Sequence, residues 1–110
     1  MQVLSLTLGE KTYTTVRVTA FMSKEAMRIN RDAMALAKRS KEIKEELDAD
    51  AAEEILNELL DLNDRKVNLI CEVYGNKFTA DEVLNGLTAA EIDAEVQKIT
   101  RGVTGVIVKN

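Results

Sequence analysis

Histidine, proline and tryptophan are absent from this sequence, cysteine occurs once, and aromatic residues make up only 4% of the 110 positions. Each shortage excludes something. Without histidine, the commonest general base and metal ligand at neutral pH are both missing. A lone cysteine, Cys71, cannot staple the fold, and a reducing compartment is its natural setting. So few aromatics provide no stacking platform for bases, and a net charge of −4 gives no overall basic surface for phosphates. No stretch reaches the roughly 18 consecutive apolar residues of a membrane-spanning helix. The opening MQVLSLTLGEKTYT lacks the basic-then-apolar order of a secretory signal. The expectation is a cytoplasmic protein that is not an enzyme, needs no cofactor or metal, and binds neither nucleic acid nor membrane.

What is present is ordinary globular material. Hydrophobic residues at 45% and charged residues at 31% argue against disorder, and the length suits one domain, 1–110. The core must be aliphatic. Residues 1–20 read as a β-hairpin: Leu4, Leu6 and Leu8 alternate with Ser5 and Thr7, Gly9-Glu10-Lys11 supplies a turn, and Tyr13 to Val18 is β-prone, with Thr14, Val16 and Val18 on one face. A lone hairpin is marginal in water, so its leucine face must rest on the helices or on a neighbouring subunit.

Residues 23–102 read as a helical bundle of two long and two short helices. Ser23 is a candidate N-cap for a helix from about Lys24 to Leu47, with the stripe Ile29, Ala33, Leu36, Ala37, Ile43 and Leu47. Its polar face, RINRD then KRSKEIKEE, reads as solvated, with pairs such as Lys41–Glu45. After a break at Leu47-Asp48-Ala49-Asp50, the second helix spans Ala51 to Tyr74 and carries two apolar stripes. One is Ile55, Leu59, Leu62, Leu69 and Val73; the other is Leu56, Leu60, Val67, Cys71 and Tyr74. Such a helix should be covered on more than one side. Asn63 to Lys66 forms a polar waist.

Gly75-Asn76 then stops the helix. Thr79-Ala80-Asp81-Glu82 and Thr88-Ala89-Ala90-Glu91 both read as capping boxes, opening short helices at Ala80–Asn85 and Ala89–Arg101. Leu84, Leu87, Ile92, Val96 and Ile99 are their core candidates, and Gly102 is a candidate C-cap. Residues 103–110 form an apolar tail, with Val103 to Val108 β-prone.

Carboxylates are plentiful, but Glu53-Glu54, Asp81-Glu82 and Asp93/Glu95 sit on helix ends or polar faces. Asp48 and Asp50 lack the glycine and closing glutamate of a calcium loop, and Gly102 to Gly105 lacks the lysine of a phosphate loop. Cys71 has no base to activate it, and Tyr74 and Phe78 read as a packing clamp around the turn. Candidate protein-binding residues are Phe21, Met22, Met27 and Met34 near the hairpin–helix junction, because flexible thioethers suit adaptable surfaces. Val103, Val106, Ile107 and Val108 join them, because a free apolar strand needs a partner.

The GEKTYT turn, the charged helix, and above all CEVYGNKFTADEVLNGL followed by AAEIDAEVQKITRGV resemble the tail assembly chaperones of long-tailed bacteriophages (siphoviruses) of Gram-positive hosts. The resemblance is strongest from Val67 to Val103. It implies a small helical protein of the host cytoplasm, absent from the mature virion, which coats the tape measure protein. It also implies recruitment of tail tube subunits and self-association into oligomers. Lys109-Asn110 is compatible with a slippery A-AAA-AAY site, so a frameshifted longer form is an expectation that the gene sequence tests. Two other readings stay open at this point: a structural head–tail connector, and a small nucleic-acid-binding regulator using KRSKEIK.

Overall fold

The computed structural model describes residues 4–15, 17–42 and 49–108, with 102–108 described by their backbone alone. The elements are β1 (Leu4–Leu8), β2 (Lys11–Thr15), α1 (Ala20–Glu42), α2 (Ala49–Val73), α3 (Ala80–Gly86) and α4 (Ala89–Val108). The chain is therefore α+β and mostly α, a hairpin on a helical bundle.

β1 and β2 are antiparallel with Leu8 opposite Lys11, leaving the two-residue loop Gly9-Glu10. Gly9 takes a positive φ of 62° and Glu10 does not, the pattern of a loop with glycine at its first position. This register places Tyr13 opposite Leu6. The inward residue of β2 is thus Tyr13, whereas Thr14, expected on the apolar face, is exposed. Val16 lies outside the described residues, and Val18 packs partly buried on the core.

α1 begins earlier than expected. Thr19 Oγ1 accepts the Met22 N–H at 3.2 Å and caps the helix, so Ser23 lies inside the first turns, buried. Ile43 and Leu47 of the expected stripe, and Glu45 of the expected pair, lie outside the described residues. α1 and α2 run antiparallel, as three ion pairs record: Arg65 meets both Glu25 (3.4 Å) and Asp32 (2.8 Å), and Arg39 grips Glu58 through two bonds of 2.9 and 2.8 Å. Between them Ile29 and Leu36 oppose Ile55, Leu62 and Leu69, all buried at seven-residue spacing. That is a short heptad seam flanked by charges. Part of the face expected to be solvated is therefore interhelical: Asp32 reaches α2, and Asn30 bonds Thr100 and Gln97 of α4.

α2 runs unbroken through the polar waist and ends at Gly75 (φ 77°) and Asn76 (φ 58°). The Asn76 N–H reaches the Cys71 carbonyl at 2.8 Å and the Gly75 N–H reaches Glu72 at 3.0 Å, the two bonds of a Schellman C-cap. Both capping boxes form. Thr79 accepts from the Glu82 N–H while Glu82 accepts from the Thr79 N–H, and Thr88 and Glu91 repeat the exchange. In α3, Val83 is the fully buried residue, whereas Leu84, expected in the core, is exposed.

α4 does not stop at Gly102. It continues to Val108, so the apolar tail expected to be a strand is helical backbone. Once a helix is nucleated, each added residue gains a hydrogen bond for one residue fixed, which outweighs the modest helix-disfavouring propensity of valine and isoleucine. A strand there would instead need a pairing edge. Lys109 and Asn110, and with them the reading of a slippery site, lie outside the described residues.

Candidate partner-binding surface

Ile92, Glu95, Val96 and Ile99 form the buried face of α4. The same helix carries the one buried charged group among the described residues, Glu95. The Tyr74 hydroxyl donates to its Oε1 at 3.2 Å, Lys98 forms an ion pair with it, and Lys98 also donates to the Ser5 carbonyl of β1 at 2.9 Å. This chain of contacts ties α2, α4 and the hairpin together. Burial, then the neighbouring Glu95 charge, pushes the Tyr74 phenol well above its ordinary range. Phe78 packs on both Tyr74 and Tyr13, with ring centroids 5.9 and 4.8 Å away, so the clamp expected around the turn exists and also holds β2.

Cys71 is buried and burial raises its thiol pKa, the opposite of what a nucleophile needs. Among the described residues no cluster of His, Cys, Asp or Glu is arranged to hold a metal ion, and no helix is long and apolar enough to cross a membrane.

Among the described residues expected to bind partners, Phe21 and the two exposed methionines lie on different faces of α1. Phe21 is exposed in the first turn of α1, and Met22 beside it is partly buried against the core. Met27 and Met34 share a stripe on α1 and are exposed, Met34 to 72%. Six residues separate Phe21 from Met27, which turns the helix by about 240° and places the two on different faces. Val103, Val106, Ile107 and Val108 lie in the last turns of α4, and their side chains are outside the described residues.

The exposed apolar residues that do cluster are on α2. Leu56, Leu59 and Leu60 are 60%, 47% and 65% exposed, and their i, i+3, i+4 spacing makes them one patch. Leu56 and Leu60 open the stripe that continues through Val67, Cys71 and Tyr74, all buried. One face of one helix is thus covered in its C-terminal half, where α3 and α4 pack, and open in its N-terminal half. Sequence reasoning found the stripe and expected the helix to be covered on more than one side. The signal it passed over is length: α2 is 25 residues, about 37 Å at 1.5 Å per residue, and the 7-residue α3 cannot extend the cover along it.

A groove opens between α1, α2 and α4. It is lined by Ala33, Met34 and Ala37 of α1, Lys66 of α2, and Asp93 and Val96 of α4, with Lys66 and Asp93 paired at 2.7 Å. Leu59 stands seven residues before Lys66 on the same side of α2. Its surroundings are acidic. From Asp50 to Asp64, α2 carries Asp50, Glu53, Glu54, Glu58, Asp61 and Asp64 and no lysine or arginine. Only Glu58 of these is held in an ion pair among the described residues. The Arg39 guanidinium keeps the Glu58 carboxyl below the usual range.

The model of the phage tail chaperone protein family matches residues 2–110. This chain belongs to that family. The match covers the hairpin and all four helices, and so agrees with the resemblance carried by the capping-box region. Neither a curated protein nor a solved structure matches the chain.

Proposed function

We propose that this phage tail chaperone binds the tape measure protein, keeps it soluble during tail assembly and helps recruit tail tube subunits. Its action is binding and release, without a chemical step. One observation carries the reading: the apolar stripe of α2 is buried from Val67 to Tyr74 but open at Leu56, Leu59 and Leu60. Contiguous exposed apolar residues with a polar rim are the mark of a protein contact. A long helical client would present many such stripes. Several chaperone copies bound along it, touching one another, would reach by avidity a strength that a single small patch lacks. Release then needs only local competition, as tube subunits displace one copy after another. The chaperone would act in the host cytoplasm and leave the finished particle.

Affinity capture of the tagged protein from phage-producing cells, with mass spectrometry, tests this. Recovery of the tape measure protein, together with absence of the bait from purified virions, is the expected result. Recovery of the bait as a constituent of finished particles would replace the chaperone reading with that of a structural subunit.

A further inference from the structure

The open half of α2 has a specific chemistry, and we infer that its occupant is an amphipathic helix whose apolar stripe is flanked by lysine or arginine. This rests on the proposed function and adds the place and the charge of the contact. The place follows from continuity. Val67, Ile70, Cys71 and Tyr74 are buried where α2 is covered by α3 and α4, and Leu56, Leu59 and Leu60 extend that face past the end of the cover. An incoming helix laid on the leucines continues a packing surface that the fold already uses. The exposed Ala37 beside the groove leaves room for its side chains. The charge follows from the rim. Glu53 and Asp64 flank the leucines on one side without a basic partner among the described residues, and no cation lies on α2 before Arg65. An acidic flank on the incoming helix would be repelled; a basic one would be drawn in and set in register. Met34 lines the groove beside the patch, whereas Met27, seven residues nearer the start of α1, lies outside it.

The test compares tape measure capture by the full chain, by Leu56→Lys/Leu60→Lys, by Glu53→Lys/Asp64→Lys and by Met27→Lys. Circular dichroism checks that each variant stays folded. All five positions are exposed, so the fold is expected to survive. The leucine and acidic variants should each lose about tenfold or more in affinity, while the methionine variant binds as the parent does. Two synthetic helices of equal leucine spacing, one flanked by lysine and one by glutamate, give a client-independent readout. The parent should bind the lysine peptide and the binding should weaken with salt. If the parent captures the tape measure protein and the leucine variant does so equally well, the inference is overturned while the proposed function stands. Preference for the glutamate peptide overturns the charge assignment. A leucine variant that loses only self-association in sedimentation overturns it too, because the patch is then a contact between copies. A parent that captures no tape measure protein removes the proposed function itself.

Discussion

Replacing Tyr74 by phenylalanine keeps the ring that packs on Phe78 and removes one hydroxyl. The effect should nonetheless be large, because of what the hydroxyl holds. Glu95 is buried, and among the described residues its carboxylate is satisfied by the Tyr74 hydroxyl and the Lys98 ammonium. A hydrogen bond to a charged group contributes about 1.5–3 kcal/mol, and losing it inside a protein leaves the acceptor partly desolvated. A domain of this size shifts its midpoint by about 4 °C per kcal/mol, so Tyr74→Phe should melt roughly 6–12 °C below the parent.

Differential scanning calorimetry measures the shift, and a double-mutant cycle with Glu95→Gln isolates the contact. The two changes touch one bond, so the double variant should be more stable than the sum of the single losses, by about 0.5 kcal/mol or more. Lys98 gives an independent handle. Lys98→Ala removes the cation and also the bond to the Ser5 carbonyl, so amide exchange in β1 should accelerate. A midpoint within about 2 °C of the parent for Tyr74→Phe, with additive behaviour in the cycle, would refute the idea that this network joins α2, α4 and the hairpin.

Other perturbations read the same architecture. Gly75→Ala should cost about 1–2 kcal/mol in denaturant unfolding from backbone strain alone, since a Cβ there meets nothing within 4 Å while φ stays at 77°. Thr79→Ala should cost about 1 kcal/mol by removing half of a capping box. Stability should fall as pH rises above 10.0, because the unfolded chain ionises Tyr74 there while the native state holds it neutral; Tyr74→Phe should flatten that limb. At the acid end, Asp32 and Glu58 are held low by Arg65 and Arg39, so their contribution is present above their unfolded values of 3.8 and 4.5 and is lost as pH falls below these and through the lowered native values. Cys71 should react slowly with a thiol reagent in the native protein and rapidly in denaturant.

The parts of the fold legible in the sequence are those written in local chemistry. Thr79 with Glu82 and Thr88 with Glu91 name helix starts because the bonds they form span three residues and need no tertiary partner. Gly75 names a helix end for the same reason. Ser23 misled because two hydroxyl residues lie four apart: Thr19 took the cap, and Ser23 was buried in the helix, its hydroxyl without a partner among the described residues. The helical course of Val103 to Val108 was illegible because propensity there is weak and the decision belongs to the helix already running into it.

The exposed leucine patch was illegible for a different reason. Phe21, Met27 and Met34 look like a patch in a sequence because they are close along the chain, but helical phase sets Phe21 apart from the two methionines. Leu56, Leu59 and Leu60 look like core because they belong to two adjacent stripes whose other members are core. Periodicity reports which face of a helix is apolar, and it is silent on how far along the helix a covering element reaches. That length is fixed here by α3 and α4, which cover α2 from Val67 onward. An apolar stripe longer than its own cover leaves a remainder, and in this chain the remainder is the acidic-rimmed leucine patch. The same hydrophobic pattern that builds the core therefore also leaves an exposed apolar face on the one helix.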